Sequence, residues 1–157
     1  MPSTTAELDA PAAPADATLR LDQQLCFALY SASLAMTKVY RPHLEALGLT
    51  YPQYLVMLAL WEHDGRSVGE LGEQLTLDSG TLTPLLKRLE LAGWLRRARS
   101  SADERRVELF LTDAGRQLRQ RAAGVQTHVA AASGCTLDQL RSLTHTLQGL
   151  RLSLQQA

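Results

Sequence analysis

Apolar positions recur every three or four residues along most of the chain, the spacing that places them on one face of a helix. Leucine dominates the apolar set, and the β-branched and aromatic residues that favour strands are few. The first such pattern begins at Leu21 and continues to about Tyr40. Pro42 and then Gly48 are expected to break or kink this helix.

Two capping-box patterns mark the starts of the next two helices. Thr50 with Gln53 opens the stretch YPQYLVMLALWE, and Pro52 is compatible with a first helical turn. Ser67 with Glu70 opens the shorter stretch VGELGEQL. The HDGR segment between the two stretches is predicted to be a turn.

The middle of the chain predicts a helix-turn-helix followed directly by a hairpin. A three-residue turn, 76–78, leads to a helix that begins at Ser79, continues to about Ala92 and ends at Gly93. Pro84 falls inside this helix, which is still expected because four leucines define one face: Leu82, Leu85, Leu86 and Leu89. The segments WLRRA and RRVELFLT then alternate like two short strands joined by the polar loop RSSADE.

The C-terminal part predicts two further helices. Asp113 is expected to cap a long helix that reaches about Ala132, and the SGC segment breaks the chain before a last helix. Six leucines of the last helix recur at steps of three and four: Leu137, Leu140, Leu143, Leu147, Leu150 and Leu154. Such a narrow seam is typical of coiled coils and suits packing against another helix.

Composition points to one globular domain with an N-terminal tail. The 157 residues, 45% of them hydrophobic, suffice for one core and are few for two. Residues 1–19 hold three prolines and almost no bulky apolar side chains, so we expect a disordered tail that is not a secretory signal. No apolar run is long enough to span a membrane. Two cysteines without an export signal favour a reducing cytoplasm.

Positive charge is concentrated in the helix-turn-helix and the hairpin. The formal net charge is zero, but residues 87–121 hold ten Lys or Arg against five acids, a local excess of five. Five of the arginines belong to the hairpin stretch RRARSSADERR. An arginine at the tip of such a wing can enter a narrow minor groove, and Asp103 is placed to hold the Arg105 guanidinium by a bidentate pair.

The second helix of the helix-turn-helix turns small polar side chains and one lysine away from its leucines, which suits entry into a DNA major groove. The predicted DNA-binding residues are Ser79, Thr81, Thr83, Lys87, Arg88, Arg99, Asp103, Arg105 and Arg106. The alternatives are an ordinary solvated helix face and a solvated charged turn. A basic wing directly after a helix-turn-helix favours DNA binding over both.

The stretch SVGELGEQLTLDSGTLTPLLKRLELAGWLRRARSSADERRVELFLTDAG resembles the winged helix-turn-helix of the MarR family of bacterial transcription regulators. The agreement of LCFALY…Y…LTYPQYLVMLALWE narrows the resemblance to the organic hydroperoxide resistance repressors (OhrR). It covers roughly residues 20–155. The fold class that follows is mainly α with a small β-hairpin wing (α+β), a winged helix-turn-helix in an intertwined helical homodimer.

The resemblance also implies the organisation and the chemistry of the protein. Residues 20–48 and 113–157 would form the helical dimerisation region, and residues 49–112 the winged region that binds a pseudo-palindromic operator. Cys26 would sense organic hydroperoxide, and the hydroxyls of Tyr40 and Tyr51 would bond to its thiolate. Cys135 is the candidate for resolving the sulfenic acid through an intersubunit disulfide, with release of DNA and relief of repression.

Cys26 requires groups that stabilise its thiolate, because the thiolate is the form that attacks peroxide. No Lys, Arg or His lies within four residues of it in the sequence. Hydrogen bonds from tyrosine hydroxyls are one way to favour the charged form. Fourteen residues of straight helix would put Tyr40 about 21 Å away. Any contact therefore requires the chain to double back or the tyrosine to come from the partner subunit.

An apolar surround is expected to make Cys26 prefer organic peroxides over hydrogen peroxide, because an alkyl group gains by burial there. The candidates for this surround are Leu25, Phe27, Leu29, Met36, Leu55 and Met57. The alternative is that Cys26 is a small buried hydrophobe without a redox role. Cys135 could equally be an idle surface thiol, with a small-molecule thiol capping the sulfenic acid instead.

Rival functions come from other classes. A MarR-type repressor that is released by a small phenolic ligand in the interhelical cleft would retain function with serine at position 26. A thiol peroxidase lacks support, since the four histidines are scattered and form no Cys–His arrangement. A metal sensor would need zinc-site spacing that His128, Cys135 and His145 lack. A purely structural dimer leaves the arginine wing unexplained, so we expect a cytoplasmic regulator, not an enzyme, with no cofactor or metal.

Overall fold

The computed structural model describes residues 19–157, so the predicted tail lies outside the described residues except for Leu19. The chain divides into two units, one that ends at Ala35 and one that spans Met36–Ala157. The helices and strands are α1 (Leu25–Glu45), α2 (Tyr51–Glu62), α3 (Val68–Leu75), α4 (Ser79–Leu91), β1 (Leu95–Arg99), β2 (Val107–Leu111), α5 (Asp113–Ala122), α6 (Val125–Ser133) and α7 (Leu137–Gln155). This order confirms a mainly α fold with one β-hairpin.

Helix α1 runs further than the sequence predicted. It passes through Pro42 and ends at Glu45, after a separate 3₁₀ turn at Leu21–Gln23. Pro42 lies near the C-terminal end of the helix, where little of the helix follows the lost backbone bond. Gly48, with φ +73°, makes the real stop. The N–H of Leu49 donates to the Leu44 carbonyl at 3.0 Å, which closes a Schellman-type end.

Both predicted capping boxes are present. The Thr50 hydroxyl accepts the Gln53 backbone N–H, and the Gln53 side chain accepts the Thr50 N–H at 2.9 Å. The reciprocal bonds of Ser67 and Glu70 open α3 in the same way. Helix α2 forms the centre of the core in the second unit, where its buried residues are Tyr54, Val56, Met57, Ala59 and Leu60.

The helix-turn-helix is closed by a tight turn between α3 and α4. Thr76 takes the left-handed conformation, with φ 56°, and the Leu77 N–H donates to the Gly72 carbonyl at 2.9 Å. Asp78 caps α4 by accepting the Thr81 N–H at 2.7 Å. The four leucines of the predicted face are all buried: Leu82, Leu85, Leu86 and Leu89. The turn therefore holds α4 with its polar face outward.

The hairpin has the predicted place and the predicted antiparallel pairing. Leu95 pairs with Leu111, and Arg99 pairs with Val107. The first strand is therefore shifted by one residue from the predicted WLRRA, and the second is three residues shorter than the predicted RRVELFLT. Arg105 and Arg106 thus belong to the loop at the tip. Buried Leu95, Leu109 and Leu111 anchor the hairpin in the core.

The C-terminal helices differ from the sequence prediction in two respects. Thr112, not Asp113, is the N-cap of α5, because its hydroxyl accepts the Gly115 N–H at 3.0 Å. The long helix is divided at 123–124, where Gly124 weakens the helix, into α5 and α6. The break before α7 occurs as predicted, at Gly134 (φ +68°). None of the residues of α7 is buried in the protomer.

Candidate nucleic-acid interface and thiol site

The outer face of α4 carries the side chains that the sequence predicted to bind DNA. All five positions on this helix are exposed: Ser79, Thr81, Thr83, Lys87 and Arg88. Among residues 19–157 none of these side chains has a hydrogen-bond or ion-pair partner. Hydroxyl, ammonium and guanidinium groups therefore stand along one side of α4, available to base edges or phosphates.

Two arginines of the wing are held by neighbouring side chains. The Arg96 guanidinium lies over the Phe110 ring, 4.5 Å from its centroid. Glu90 accepts Arg97 Nε at 2.7 Å and the Arg97 backbone N–H at 3.1 Å. These bonds lower the pKa of Glu90 below its ordinary value. Both arginines serve the packing of the hairpin, and neither was predicted to bind DNA.

Arg106, which was predicted to bind DNA, also has a partner within the protein. Its guanidinium donates to Glu70 Oε1 at 3.1 Å, and each side chain is about half exposed (51% and 52%). The pKa of Glu70 is lowered, first by the Ser67 backbone N–H, then by the Ser67 hydroxyl and Arg106. The role of Glu70 in joining wing to helix was not foreseen, although its position in the capping box was.

Arg99 and Arg105 differ from the other wing arginines, because within the described residues neither guanidinium has an ion-pair or hydrogen-bond partner. Both are exposed. The expected pair between Asp103 and the Arg105 guanidinium is not formed. The Asp103 carboxylate instead accepts the Arg105 backbone N–H at 3.0 Å, because the tight loop puts that N–H two residues ahead within reach. Asp103 therefore shapes the loop, and the Arg105 side chain is left to solvent.

A cleft of ≈ 520 Å³ lies between α3, α4 and the wing. Its lining residues are Ser67, Val68, Gly69, Thr83, Leu86, Arg97, Arg105, Arg106 and Val107. It brings Thr83 of the helix face and Arg105 of the wing to one concave surface. Arg97 and Arg106 on that surface are already paired with carboxylates. Within the described residues Arg105 is the lining arginine whose guanidinium is available to a phosphate backbone.

Cys26 lies in the first turn of α1, in the first unit, and is an exposed free thiol. The large apolar side chains around it in sequence are exposed as well: Leu25, Phe27, Tyr30 and Leu34. Of the expected apolar surround, Leu29 and Leu55 are half-buried, Met36 is exposed and Met57 is fully buried. Cys26 is therefore not a small buried hydrophobe in the protomer.

Tyr40 and Tyr51 lie together in the second unit. Their ring centroids are 5.0 Å apart, and Tyr54 lies 5.9 Å from Tyr40. Burial raises the pKa of all three hydroxyls, so each keeps its proton at neutral pH and can act as a donor. Tyr54 was not predicted as a member of this cluster, although its spacing of three from Tyr51 on α2 places both on one side of the helix.

Gln126 of α6 bridges two of these hydroxyls, and no sequence pattern pointed to it. The Tyr40 hydroxyl donates to Gln126 Oε1 at 3.2 Å, and Gln126 Nε2 donates to the Tyr54 hydroxyl at 3.0 Å. These bonds cross 86 and 72 residues of sequence, respectively. The tyrosine cluster is thereby attached to the helix that precedes Cys135.

Cys135 occupies the short connection between α6 and α7 and is a half-buried free thiol. Its Sγ lies 3.7 Å from the Ser133 carbonyl oxygen, and its N–H donates to the Ser133 hydroxyl at 3.2 Å. In the sequence it lies between Gly134, the C-cap of α6, and Thr136, the N-cap of α7. A cysteine in an irregular connection can change its backbone angles without breaking a helix.

Residues 19–157 contain no group of three or more His, Cys, Asp and Glu side chains arranged to hold a metal ion. Over the same part of the chain, no helix combines the length and the apolar character needed to cross a membrane.

The family model described as "Transcriptional regulator SarA/Rot" matches residues 38–121. The chain is 49% identical over 132 residues to the organic hydroperoxide resistance transcriptional regulator of Bacillus subtilis, covering 82% of this chain and 90% of that protein. It is 53% identical over 131 residues to the HTH-type transcriptional regulator TtmR of Methylorubrum extorquens, covering 83% and 67%.

Solved structures of transcriptional regulators are also similar to this chain. AbfR of Staphylococcus epidermidis is similar with a TM-score of 0.74 and 35% identity, covering 90% of this chain and 98% of that chain. Other structures show AbfR reduced and bound to DNA (TM-score 0.71), overoxidised and bound to DNA (0.71), and with a disulfide formed (0.59). The transcriptional repressor CouR, bound to a 23-mer DNA duplex, gives 0.77 at 28% identity and covers 85% of this chain and 96% of that chain.

The fold and the exposed face of α4 beside a basic hairpin define a winged helix-turn-helix protein. The chain belongs to the MarR/SarA-like winged-helix family of transcriptional regulators, which confirms the resemblance seen in the sequence. The protein is therefore a transcriptional regulator.

Proposed function

We propose that the protein is a homodimeric, DNA-binding repressor that releases its operator when an organic hydroperoxide oxidises Cys26. The observation that carries the proposal is an exposed thiol among exposed apolar side chains of α1, in a chain 49% identical to an organic hydroperoxide regulator. AbfR supports a redox mechanism, since it has been solved reduced, overoxidised and with a disulfide formed.

The DNA surface in this proposal consists of the outer face of α4 and the tip of the wing. Ser79, Thr81 and Thr83 would meet base edges or phosphates in a major groove, with Lys87 and Arg88 further along the helix. Within residues 19–157 the guanidinium groups of Arg99 and Arg105 are unpaired, and they are available to an adjacent minor groove or to phosphates. Arg106 would have to leave Glu70 to reach DNA, so its contribution is the smallest among the three wing arginines that were predicted to bind DNA.

The dimer in this proposal covers the apolar surface that the protomer leaves in water. On α7 the exposed leucines of the seam are Leu137, Leu143, Leu147 and Leu154. In the first unit the exposed apolar residues of α1 surround Cys26. Contiguous apolar surface of this kind marks an interaction site. We assign 20–48 and 113–157 to dimerisation and 49–112 to DNA binding, as the family resemblance implies.

The chemistry begins with attack of the Cys26 thiolate on the outer oxygen of the hydroperoxide. The S–O bond forms as the O–O bond breaks, so sulfur is oxidised by two electrons and the alkoxide leaves, taking a proton to become an alcohol. Tyr40 and Tyr51 would donate hydrogen bonds to the thiolate before attack. We place these donors on the partner protomer, because 14 residues separate Cys26 from Tyr40 in the sequence of one helix.

Resolution in this proposal uses Cys135 of the partner protomer. Its thiol displaces water from the Cys26 sulfenic acid and forms the disulfide, which two molecules of a cellular thiol later reduce to the free cysteines. The two Cα atoms must come within about 7 Å. Drawing Cys135 toward Cys26 would shift α7 and, with it, the spacing of the two winged regions on the operator.

The test is a gel shift on DNA from upstream of the gene that encodes the protein. Wild type and Cys26→Ser are compared before and after cumene hydroperoxide, and again after a thiol reductant. We expect peroxide to release the wild type, the variant to stay bound, and reductant to restore binding. If both proteins stay bound in peroxide, Cys26 is not the sensor, and a small-ligand effector becomes the better account.

A further inference from the structure

We propose that the Gln126 side-chain amide is a hydrogen-bond switch. Its orientation determines whether the Tyr40 hydroxyl can donate a hydrogen bond to the Cys26 thiolate. The inference rests on the proposed function, in which Tyr40 is a donor to that thiolate. Gln126 would not touch the reacting atoms. It would act as a positioning residue, through the two hydroxyls that it bridges.

The Tyr40 hydroxyl has a single proton with which to donate a hydrogen bond. A tyrosine hydroxyl donates one hydrogen bond and can accept others. In the described geometry the Tyr40 proton points to Gln126 Oε1, at 3.2 Å. While that bond persists, Tyr40 has no proton left for a thiolate.

A half-turn of the Gln126 amide removes this conflict without moving the rings. It exchanges the amide oxygen and nitrogen, so that the nitrogen donates to Tyr40 and the oxygen accepts from Tyr54. The Tyr40 proton is then free to point away from Gln126. The Tyr54 hydroxyl then donates a hydrogen bond to the amide oxygen. The count of Tyr–Gln bonds stays at two, and α6 remains attached to both tyrosines in either state.

The charge on sulfur would select between the two states. A hydrogen bond to a charged acceptor contributes more than one to a neutral amide oxygen. A thiolate therefore favours the state in which Tyr40 accepts from Gln126 and donates to sulfur. When oxidation removes the thiolate, the described state returns. Because α6 ends at Ser133, two residues before Cys135, the same amide links the tyrosines to the segment that must move for resolution.

The test compares two substitutions at position 126 that should have opposite effects. Reduced full-length variants react with excess cumene hydroperoxide, and loss of the Cys26 thiol is followed by quenching and mass spectrometry over a range of pH. In Gln126→Glu the carboxylate accepts from both tyrosines and holds the Tyr40 proton, so the rate should fall about tenfold, with a half-maximal pH shifted upward. In Gln126→Leu the competing acceptor is gone, so the rate should rise a few-fold.

A double-mutant cycle separates this switch from the added charge of glutamate. Tyr54→Phe removes the hydroxyl that donates to the Gln126 amide oxygen in the flipped state. It should therefore slow oxidation of Cys26 a few-fold in otherwise wild-type protein and have no effect in the Gln126→Leu background. A fall in rate with both substitutions at 126, or an equal effect of Tyr54→Phe in both backgrounds, would overturn the switch. Tyr40→Phe tests the proposed function separately: if it slows the reaction while the cycle shows no coupling, only the switch is wrong. Thermal unfolding and operator binding of each reduced variant confirm that it is folded.

Discussion

The Arg106 guanidinium donates to the Glu70 carboxylate at 3.1 Å, so the tip of the wing is tied to the first turn of α3. The same carboxylate accepts the Ser67 N–H at 2.9 Å as part of the capping box. One acidic side chain therefore starts the helix-turn-helix and fixes the wing beside it. An exposed ion pair contributes little on its own, but here it shares its acceptor with a helix cap.

Glu70 should make part of the stability depend on pH. Because its pKa is lowered in the folded protein, its contribution is present in full above the ordinary pKa of a glutamate and is lost as the pH falls through the lowered value. Glu70→Gln keeps a side chain that can cap but removes the titrating group. The melting temperature of this variant should fall less than that of wild type between neutral pH and pH of about 3.

Glu73→Gln is the matched control, since Glu73 is an exposed carboxylate of α3 without a side-chain partner in the described residues. It should melt like wild type across the same pH range. Equal acid sensitivity in Glu70→Gln and wild type would show that the capping carboxylate does not govern this part of the transition.

Arg105→Ala should weaken operator binding. Its guanidinium is exposed and unpaired in the described residues, so removal costs no internal contact and the fold should persist. We expect affinity to fall on the order of tenfold, and the slope of log affinity against log salt to lose about one unit. Arg141→Ala is the control, because Arg141 lies on α7 in an exposed pair with Asp138. Equal losses in the two variants would mean that general charge, not the wing, carries the effect.

Gly115→Ala should destabilise the junction between the wing and α5. A Cβ at Gly115 would overlap the Trp94 backbone carbonyl oxygen, which cannot move aside like the end of a flexible side chain. We expect a loss of about 1–3 kcal/mol or more in the free energy of unfolding, measured by denaturant titration. A Cβ at Gly149 on α7 meets no described residue within 4 Å, so Gly149→Ala should raise the free energy of unfolding by up to about 1 kcal/mol. If both variants unfold like wild type, the close approach at Gly115 is not restrictive.

Most of the fold could be read from local signals. Capping boxes at Thr50 and Ser67, the leucine face of α4 and the alternation around the wing each report on a few adjacent residues. The errors arose where local signals compete. Pro42 predicts an earlier end to α1, but the helix continues past it to Glu45, and Gly48 makes the stop. Thr112 competes with Asp113 for the cap and is the residue that bonds to Gly115.

The candidate site was predictable as a set of exposed residues and not as a set of contacts. Periodicity on α4 is enough to tell which side chains face outward. It does not tell that Arg106 meets Glu70 across 36 residues or that Tyr40 meets Gln126 across 86. Contacts between distant segments depend on how helices pack in three dimensions, and a single sequence carries no local signal for them.

Leu147→Glu should dissociate the proposed dimer. Leu147 is 41% exposed in the protomer and belongs to the leucine seam of α7. Burying a leucine contributes roughly 1.5–3 kcal/mol, and in a symmetric dimer the substitution acts twice and adds two like charges. Sedimentation velocity at micromolar concentration should show a monomer. His145→Glu is the control, because at 100° per residue it lies on the side of α7 opposite the seam. A Leu147→Glu dimer as tight as wild type would exclude the seam as the dimer interface.

Cys135→Ser should change the products of oxidation and not the first step. With cumene hydroperoxide, wild type should give a disulfide-linked dimer on a non-reducing gel, and reductant should restore DNA binding. The variant should give no linked dimer. In excess peroxide without a small thiol, its Cys26 should gain two oxygen atoms, a state that thiol reductants do not reverse. Intact-mass spectrometry and the gel shift measure both outcomes. If Cys26 of the variant resists the gain of two oxygen atoms as well as Cys26 of wild type in the same excess of peroxide, Cys135 is not the resolving thiol.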